Sequence, residues 1–452
     1  GPVGATVLSY MPEAGKDGCF MLLASPSVAE DVANKTEKNI IFVLDRSGSM
    51  SGKKIEQSKK ALEFVLTNLN EGDNFNIVDY DDRVEMYKPE MQRYTTESYK
   101  EAINYVGGIR SGGGTNINAA LVKSIAMFQD ENRPNYLLFL TDGLASSGIT
   151  NEMQIAKNVV DANGIGARIF AFGVGNDVNA RLLDRLTSSN GGVTEYVKPH
   201  EDIEVAVADL YGNISSPVMT DIHVSFSNTD VRSTYPDKLP DLFKGSQLVW
   251  VGKYNKAGNN TITVKGKVGG KEQKFVFKVD LASSTDDDTF DYLEQIWASR
   301  RVGHLIDEID LNGRTDELVT ELVSLSKEFG ILTPYTAFLA REDVVLSDNR
   351  AMQEESVNEL KALEQVSGAS ANNLRSQKKD FASNTKMSPA SEAISYEDAE
   401  GELQTVNTIK QIGTKTFYLR DEKWVEGTLD DSELKAAIEI KKFSDSYFKV
   451  AK

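Results

Sequence analysis

Five residues carry oxygen donors at the ends of candidate elements and could act together. Asp45, Ser47 and Ser49 share one turn, Asp45-Arg46-Ser47-Gly48-Ser49, directly after the apolar run 40–44 and ahead of a helical pattern. Thr115 closes Gly112-Gly113-Gly114-Thr115 before a second helical pattern, and Asp142 sits in Thr141-Asp142-Gly143 right after the apolar run 136–140. A carboxylate and two hydroxyls on a tight turn surround one point with hard ligands, and open α/β sheets bind ligands beyond the carboxyl ends of their strands. The set contains no thiolate or imidazole, so it selects Mg²⁺ first, with Mn²⁺ or Ca²⁺ as alternatives, over zinc or copper. Three hydroxyls and two carboxylates do not enclose an octahedral ion, so one position stays open for an incoming Asp or Glu of a partner. The competing reading makes Ser47 and Ser49 turn and N-cap residues and Asp142 a strand-end turn residue. Three pieces at matching element ends favour the metal.

Other candidate sites carry less. Gly112–Gly114 lacks the Lys that a phosphate cradle needs. Asp79, Asp81 and Asp82 form an acidic cluster, read as a solvated turn with a second cation site as the alternative. His200, His223 and His304 share no ligand spacing, and Trp250, Phe290 and Trp297 are assigned to packing. Asn34, Asn213 and Asn259 head Asn-x-Ser/Thr triplets, which matter only in a secreting eukaryote.

The elements that position the donors follow from hydrophobic periodicity. Short apolar runs at 40–44, 75–80, 136–140, 169–174 and 193–197 suit strands buried on both faces, and helical patterns lie between them. This alternation gives a mostly parallel α/β sheet over 36–214. Over 215–284 the period changes to two, with runs at 222–226, 248–251, 261–264 and 275–279, an antiparallel β unit. Residues 1–35 hold two more strand-like runs, 5–10 and 19–23, around a Pro/Gly turn. This hairpin has no sheet of its own, so it is expected to join the later strands, making the α/β domain an insertion into a β-sandwich; tandem domains are the alternative. A helical region at 285–345 opens on Asp286–Asp288 and closes its second helix, 315–329, at Gly330. Residues 346–402 are charged and Ser/Asn/Gln-rich, expected as a polar linker with one exposed helix at 352–365. A small β-rich region, 403–452, ends the sequence, its core signature including Tyr447-Phe448.

Composition narrows the function. The 452 residues leave room for several domains, and a net charge of −18 disfavours nucleic acid and anionic lipid. No apolar run approaches the ~20 residues that span a bilayer. Cys19 is the single cysteine, so no internal disulfide or Cys/His zinc cluster forms. Gly1-Pro2 without an initiator Met reads as a protease scar, and the sequence is expected to begin inside a longer chain.

The Asp-x-Ser-x-Ser turn with the later Thr and Thr-Asp-Gly resembles the metal-ion-dependent adhesion site (MIDAS) of von Willebrand factor type A (VWA) domains. The resemblance covers residues 38–213 and matches all five metal-ligand positions at Asp45, Ser47, Ser49, Thr115 and Asp142. It implies a Rossmann-like α/β domain. A wider likeness, over 5–345, is to inter-alpha-trypsin inhibitor heavy chains and their bacterial relatives. It is carried by Leu8-Ser9-Tyr10, Asp17-Gly18, Leu22-Leu23, the run YPDKLPDLF from Tyr235 to Phe243 with Gly245, Ile296-Trp297-Ala298, and LSKEFGILTPYTAFL from Leu325 to Leu339. Lys415-Thr416-Phe417-Tyr418 and Trp424 resemble the C-terminal region of the bacterial members. The VIT domain that precedes the adhesion domain in that family is missing here, and so is the Asp-Pro-His sequence of glycosaminoglycan ester linkage, so covalent hyaluronan transfer is not implied.

These residues predict a non-enzymatic adhesion or protein-interaction protein, extracellular, cell-surface or periplasmic. It would bind an acidic group of a protein or extracellular-matrix-type partner through a divalent cation. The alternatives are a Mg²⁺-dependent hydrolase using Asp45 or Asp142, for which Arg46 is the sole obvious cation in the loop, and an intracellular assembly factor. Ligand binding is expected to move the 112–115 loop and the last α/β helix, 201–211.

Overall fold

The computed structural model describes residues 3–13, 15–26, 36–284, 289–385, 394–444, 446 and 449. The expected helix opening at Asp286–Asp288, the Asn34 triplet and Tyr447-Phe448 lie outside them. The chain divides into two compact units, one of residues 1–313, 362–387 and 399–401, the other of residues 314–361, 388–398 and 402–452.

The first unit begins with an antiparallel hairpin, β1 (Val3–Tyr10) and β2 (Gly18–Pro26). A doubly wound sheet follows. Its strands are β3 (Asn39–Asp45), β4 (Asn74–Tyr80), β5 (Val84–Met86), β6 (Gln92–Arg93), β7 (Asn135–Thr141), β8 (Arg168–Val174) and β9 (Thr194–Val197). The order is β5-β4-β3-β7-β8-β9; β3, β4, β7, β8 and β9 run parallel, while β5 and β6 pair antiparallel with β4.

Both faces of the sheet are covered, which is why its strands read as unbroken apolar runs. Ile40, Phe42 and Leu44 pack with Leu62 and Val65 of α1 (Lys53–Thr67) and with Val207 and Leu210, whereas Ile41 and Val43 face Leu121, Val159 and Leu183 on the other side. The remaining helices are α2 (Thr96–Gly108), α3 (Ile117–Ile125), α4 (Glu152–Ala162), α5 (Ala180–Ser189) and α6 (Ile203–Ile214). The chain leaves β3 toward β4 and leaves β7 toward β8, in opposite directions, so the crevice between β3 and β7 is the topological switch point of the sheet.

Six antiparallel strands follow: β10 (Pro217–Phe226), β11 (Val231–Tyr235), β12 (Leu242–Phe243), β13 (Leu248–Tyr254), β14 (Gly258–Val268) and β15 (Lys271–Leu281). β13 pairs with β2, giving one sheet of order β1-β2-β13-β11, and the other runs β12-β10-β14-β15. The N-terminal hairpin thus shares a sheet with strands that follow the α/β domain. Phe20, Leu22, Trp250, Met219, Ile262 and Val264 from both sheets form the core between them. Arg168 on β8 pairs with buried Asp241 across 2.5 Å, and Tyr136 donates to the same carboxylate, tying the parallel sheet to the 235–243 loop region.

Helix α7 (Tyr292–Asn312) packs Trp297, whose Nε1 donates to Ser233 O across 2.9 Å while the Lys253 ammonium sits over the ring. Residues 346–402 are not a linker with a single helix: helices Asn349–Glu359 and Ala369–Ser383 are both formed. The second buries Arg375 and Lys378, which meet Asp310 of α7 at 2.7 and 2.9 Å; Lys378 also meets Asp184 at 2.8 Å and Asp307 at 2.7 Å. Only Ala371 and Leu374 are apolar on its buried face, which is otherwise polar and ionic, so periodicity finds no apolar stripe.

In the second unit, Thr315 caps helix Asp316–Phe329 through the Leu318 amide, and Gly330, at φ 63°, closes it in the left-handed conformation. Three antiparallel strands, Ile409–Ile412, Lys415–Arg420 and Lys423–Glu426, lie in the same unit. Buried Tyr418 donates to Lys327 O there across 2.8 Å.

Candidate metal centre

The parallel register of β3 and β7 sets Leu44 beside Leu140, so Asp45 and Asp142 emerge side by side at the carboxyl end of the sheet. Asp45 is fully buried. Its Oδ1 accepts the Ser47 amide at 2.8 Å, and its Oδ2 accepts Thr141 Oγ1 at 2.6 Å and Tyr80 OH at 3.3 Å. Burial pushes its carboxyl above the ordinary range, the Thr141 and Ser47 hydrogen bonds oppose that, and the nearby Asp142 charge adds to it.

A chain of hydroxyls joins the two carboxylates. Ser47 Oγ lies 3.1 Å from Ser49 Oγ, and Ser49 donates to Asp142 Oδ1 at 2.7 Å. A Cβ placed on Gly143 would stand 3.7 Å from Ser49 Oγ and 3.9 Å from Thr115 Oγ1, which puts Thr115 at the same spot. Backbone pairing fixes the loops: Gly48 N donates to Gly113 O, Gly112 N to Arg46 O, and Ser146 N to Thr115 O. Asn116 then caps α3 through the Ala119 amide. All five expected residues converge, and the triple glycine forms a tight loop paired to the donor turn.

The acidic cluster is a solvated turn only in part: Asp82 is exposed, as expected, but Asp79 is not. Asp79 is buried, accepts Tyr105 OH at 2.5 Å and pairs with Arg46 at 2.6 Å; Arg46 also reaches Asp81 and Glu85. Asp82 accepts the Gly114 amide, which with Ser147 holds its carboxyl below the usual range. Arg46 is therefore committed to these carboxylates.

Three contributors escaped sequence reading. Tyr80 and Thr141 hold Asp45, and Lys54 places its ammonium 2.5 Å from Asp142 Oδ2. Lys54 left a trace in the sequence, since a cation in the first turn of a helix opposes the helix dipole and calls for a nearby anion.

The donors fit a hard divalent cation: they are all oxygen, and buried Asp142 already draws a positive charge to itself. Among the described residues no three His, Cys, Asp or Glu side chains converge as a metal cluster by themselves, so hydroxyls must complete any such set.

Residues 39–211 match the von Willebrand factor type A domain model, and this segment is such a domain, with its central, mostly parallel sheet flanked by helices. Beyond that domain the chain is similar to inter-alpha-trypsin inhibitor heavy chains. It is 28% identical to heavy chain H4 of Bos taurus over 331 residues, covering 69% of this chain and 36% of that protein. It is 25% identical to heavy chain H2 of Homo sapiens over 335 residues, covering 70% and 35%. The chain thus spans well under half the length of these relatives. A von Willebrand factor type A structure from Catenulispora acidiphila superposes with a TM-score of 0.54 at 14% identity, covering 81% of this chain and 97% of that one, which supports the fold.

Proposed function

We propose that the chain is a non-enzymatic interaction protein that docks an acidic side chain of a partner on a divalent cation held by Asp45, Ser47, Ser49, Thr115 and Asp142. The observation that carries this reading is the continuous run of oxygens from Ser47 through Ser49 to Asp142 at the switch point of the sheet. When bound, the cation would supply a Lewis-acidic point that accepts a carboxylate. Asp45 and Asp142 would provide charge, the hydroxyls would complete part of the shell, and Mg²⁺ suits the set best, with Mn²⁺ or Ca²⁺ as alternatives. In a chain of net charge −18 such a centre gives an acidic partner a local positive docking point.

The rim favours a protein ligand. Leu144, two residues after Asp142, is 45% exposed, and Ile149 further along the same loop 39%, so the segment following the centre offers apolar contact. Arg46, the cation that the alternative hydrolase reading would draw on, is bound to Asp79, Asp81 and Glu85, and Lys54, the cation at the donors, is paired with Asp142. We place the protein outside the cell, at the cell surface or in the periplasm, a reading supported by the likeness to inter-alpha-trypsin inhibitor heavy chains. Among the described residues no helix is long and apolar enough to cross a membrane.

A thermal-shift titration of chelator-treated protein with Mg²⁺, Mn²⁺ and Ca²⁺ tests this, because binding to the folded state raises Tm by mass action. Wild type should be stabilised and Asp142→Ala should not. Equal responses, or none, would mean that these five residues hold no divalent cation.

A further inference from the structure

Asp142 divides its two oxygens between different partners. Oδ1 accepts Ser49 Oγ and faces the candidate ligands, while Oδ2 is held 2.5 Å from Lys54 Nζ. The carboxylate is fully buried and the lysine side chain 35% exposed, so the ammonium reaches inward from the protein surface to a charge that water does not reach. The turn after β8 lies close by: a Cβ on Gly175 would stand 3.8 Å from Nζ. The same turn is pinned by helix Ala369–Ser383 and the residue before it: Asn372 Nδ2 donates to Gly175 O at 2.9 Å and Gly368 N to Asn176 O at 2.6 Å. Lys54 also sits in the first turn of α1, where the helix dipole opposes a cation. It remains there because Asp142 compensates it.

From this geometry we infer that Lys54 is a resident competing cation that holds the divalent-cation affinity of the centre down, so that occupancy follows the ambient cation concentration. A cation on the Oδ1 side would share Asp142 with an ammonium that already draws charge from that carboxylate, and the two positive charges would repel through the low-dielectric interior. Lys54 acts through Asp142, which makes it a positioning and tuning residue and not a ligand. The inference rests on reading the five oxygens as a metal centre.

The test is isothermal titration of Mg²⁺ and of Mn²⁺ into the chelator-treated full chain, for wild type, Lys54→Met and Lys54→Arg. Methionine keeps the unbranched stem without the charge, and circular dichroism confirms that each variant is folded. Lys54→Met should bind both cations about tenfold more tightly, a change of about 1.4 kcal/mol, and Lys54→Arg should stay close to wild type. Unchanged or weaker binding in folded Lys54→Met, with wild type still binding, overturns the role of Lys54 and leaves the metal centre standing. Binding by Lys54→Met alone keeps the competing role and overturns the proposed function of the wild-type centre. Binding by neither overturns both.

Discussion

Ser49 Oγ donates to Asp142 Oδ1 across 2.7 Å, joining a turn after one central strand to the end of its neighbour, 93 residues later. This bond spans the switch-point crevice and aligns donors that are far apart in the chain. Ser49→Ala removes one candidate ligand and the hydrogen bond that aims Asp142. It should weaken Mg²⁺ by about one to two orders of magnitude, as loss of a group that orients a ligand does. Asp142→Ala should abolish binding. Calorimetric titration of the two variants ranks them, and Ser49→Ala binding as well as wild type would separate Ser49 from the centre.

Asp45 offers a pH-dependent contrast. Its carboxyl is pushed up by burial, so the folded state holds the proton more firmly than the unfolded chain does. Stability from this group is present in full below the ordinary carboxylate range and is lost as pH rises through the raised folded value. Asp45→Asn keeps an acceptor for the Ser47 amide without the charge. In chelator at pH 7 it should melt higher than wild type, the difference closing as pH falls toward the unfolded value of about 4. With Mg²⁺ in excess the order should reverse, because only wild type gains binding energy. Thermal melts across pH, with and without Mg²⁺, check both arms.

Two pieces of the donor set were legible because each directly follows an apolar run, and strands buried on both faces announce their ends; the third, Gly112–Thr115, was legible as a glycine turn ahead of a helical pattern. What holds the donors was not. Tyr80 and Thr141 reach Asp45 only through strand pairing, a relation between residues 35 and 96 positions apart that local spacing does not encode. The two short antiparallel strands, Val84–Met86 and Gln92–Arg93, are too brief for alternation to register.

Helix Ala369–Ser383 was hidden for a different reason. Its buried face carries Asn372, Arg375, Gln377 and Lys378, so an ordered helix reads as a solvated linker. Lys378→Met would leave Asp184, Asp307 and fully buried Asp310 with one cation fewer. Breaking a buried ion pair from one side costs about 3–5 kcal/mol, and the urea midpoint should fall accordingly. An unchanged midpoint would mean that this ionic interface contributes nothing to stability.

Lys38 and Asp73 make a second buried pair, both side chains fully buried, with Nζ 2.6 Å from Oδ2 and the Lys38 amide 3.0 Å from Oδ1. Lys38→Met should destabilise the α/β domain by a similar ~3–5 kcal/mol, whereas Lys38→Met with Asp73→Asn should recover part of the loss because no charge is stranded. Urea unfolding of the single and double variants reads the coupling.

Five oxygens, from Asp45, Ser47, Ser49, Thr115 and Asp142, are proposed to surround one divalent cation. Anomalous diffraction from crystals soaked in Mn²⁺ locates the ion directly. A single strong peak should stand at the carboxyl end of the central sheet, at coordination distance of about 2.0–2.4 Å from the Ser47 and Ser49 hydroxyls, and be absent from Asp142→Ala crystals. A peak elsewhere, or none between Asp45 and Asp142 at saturating Mn²⁺, would contradict this arrangement.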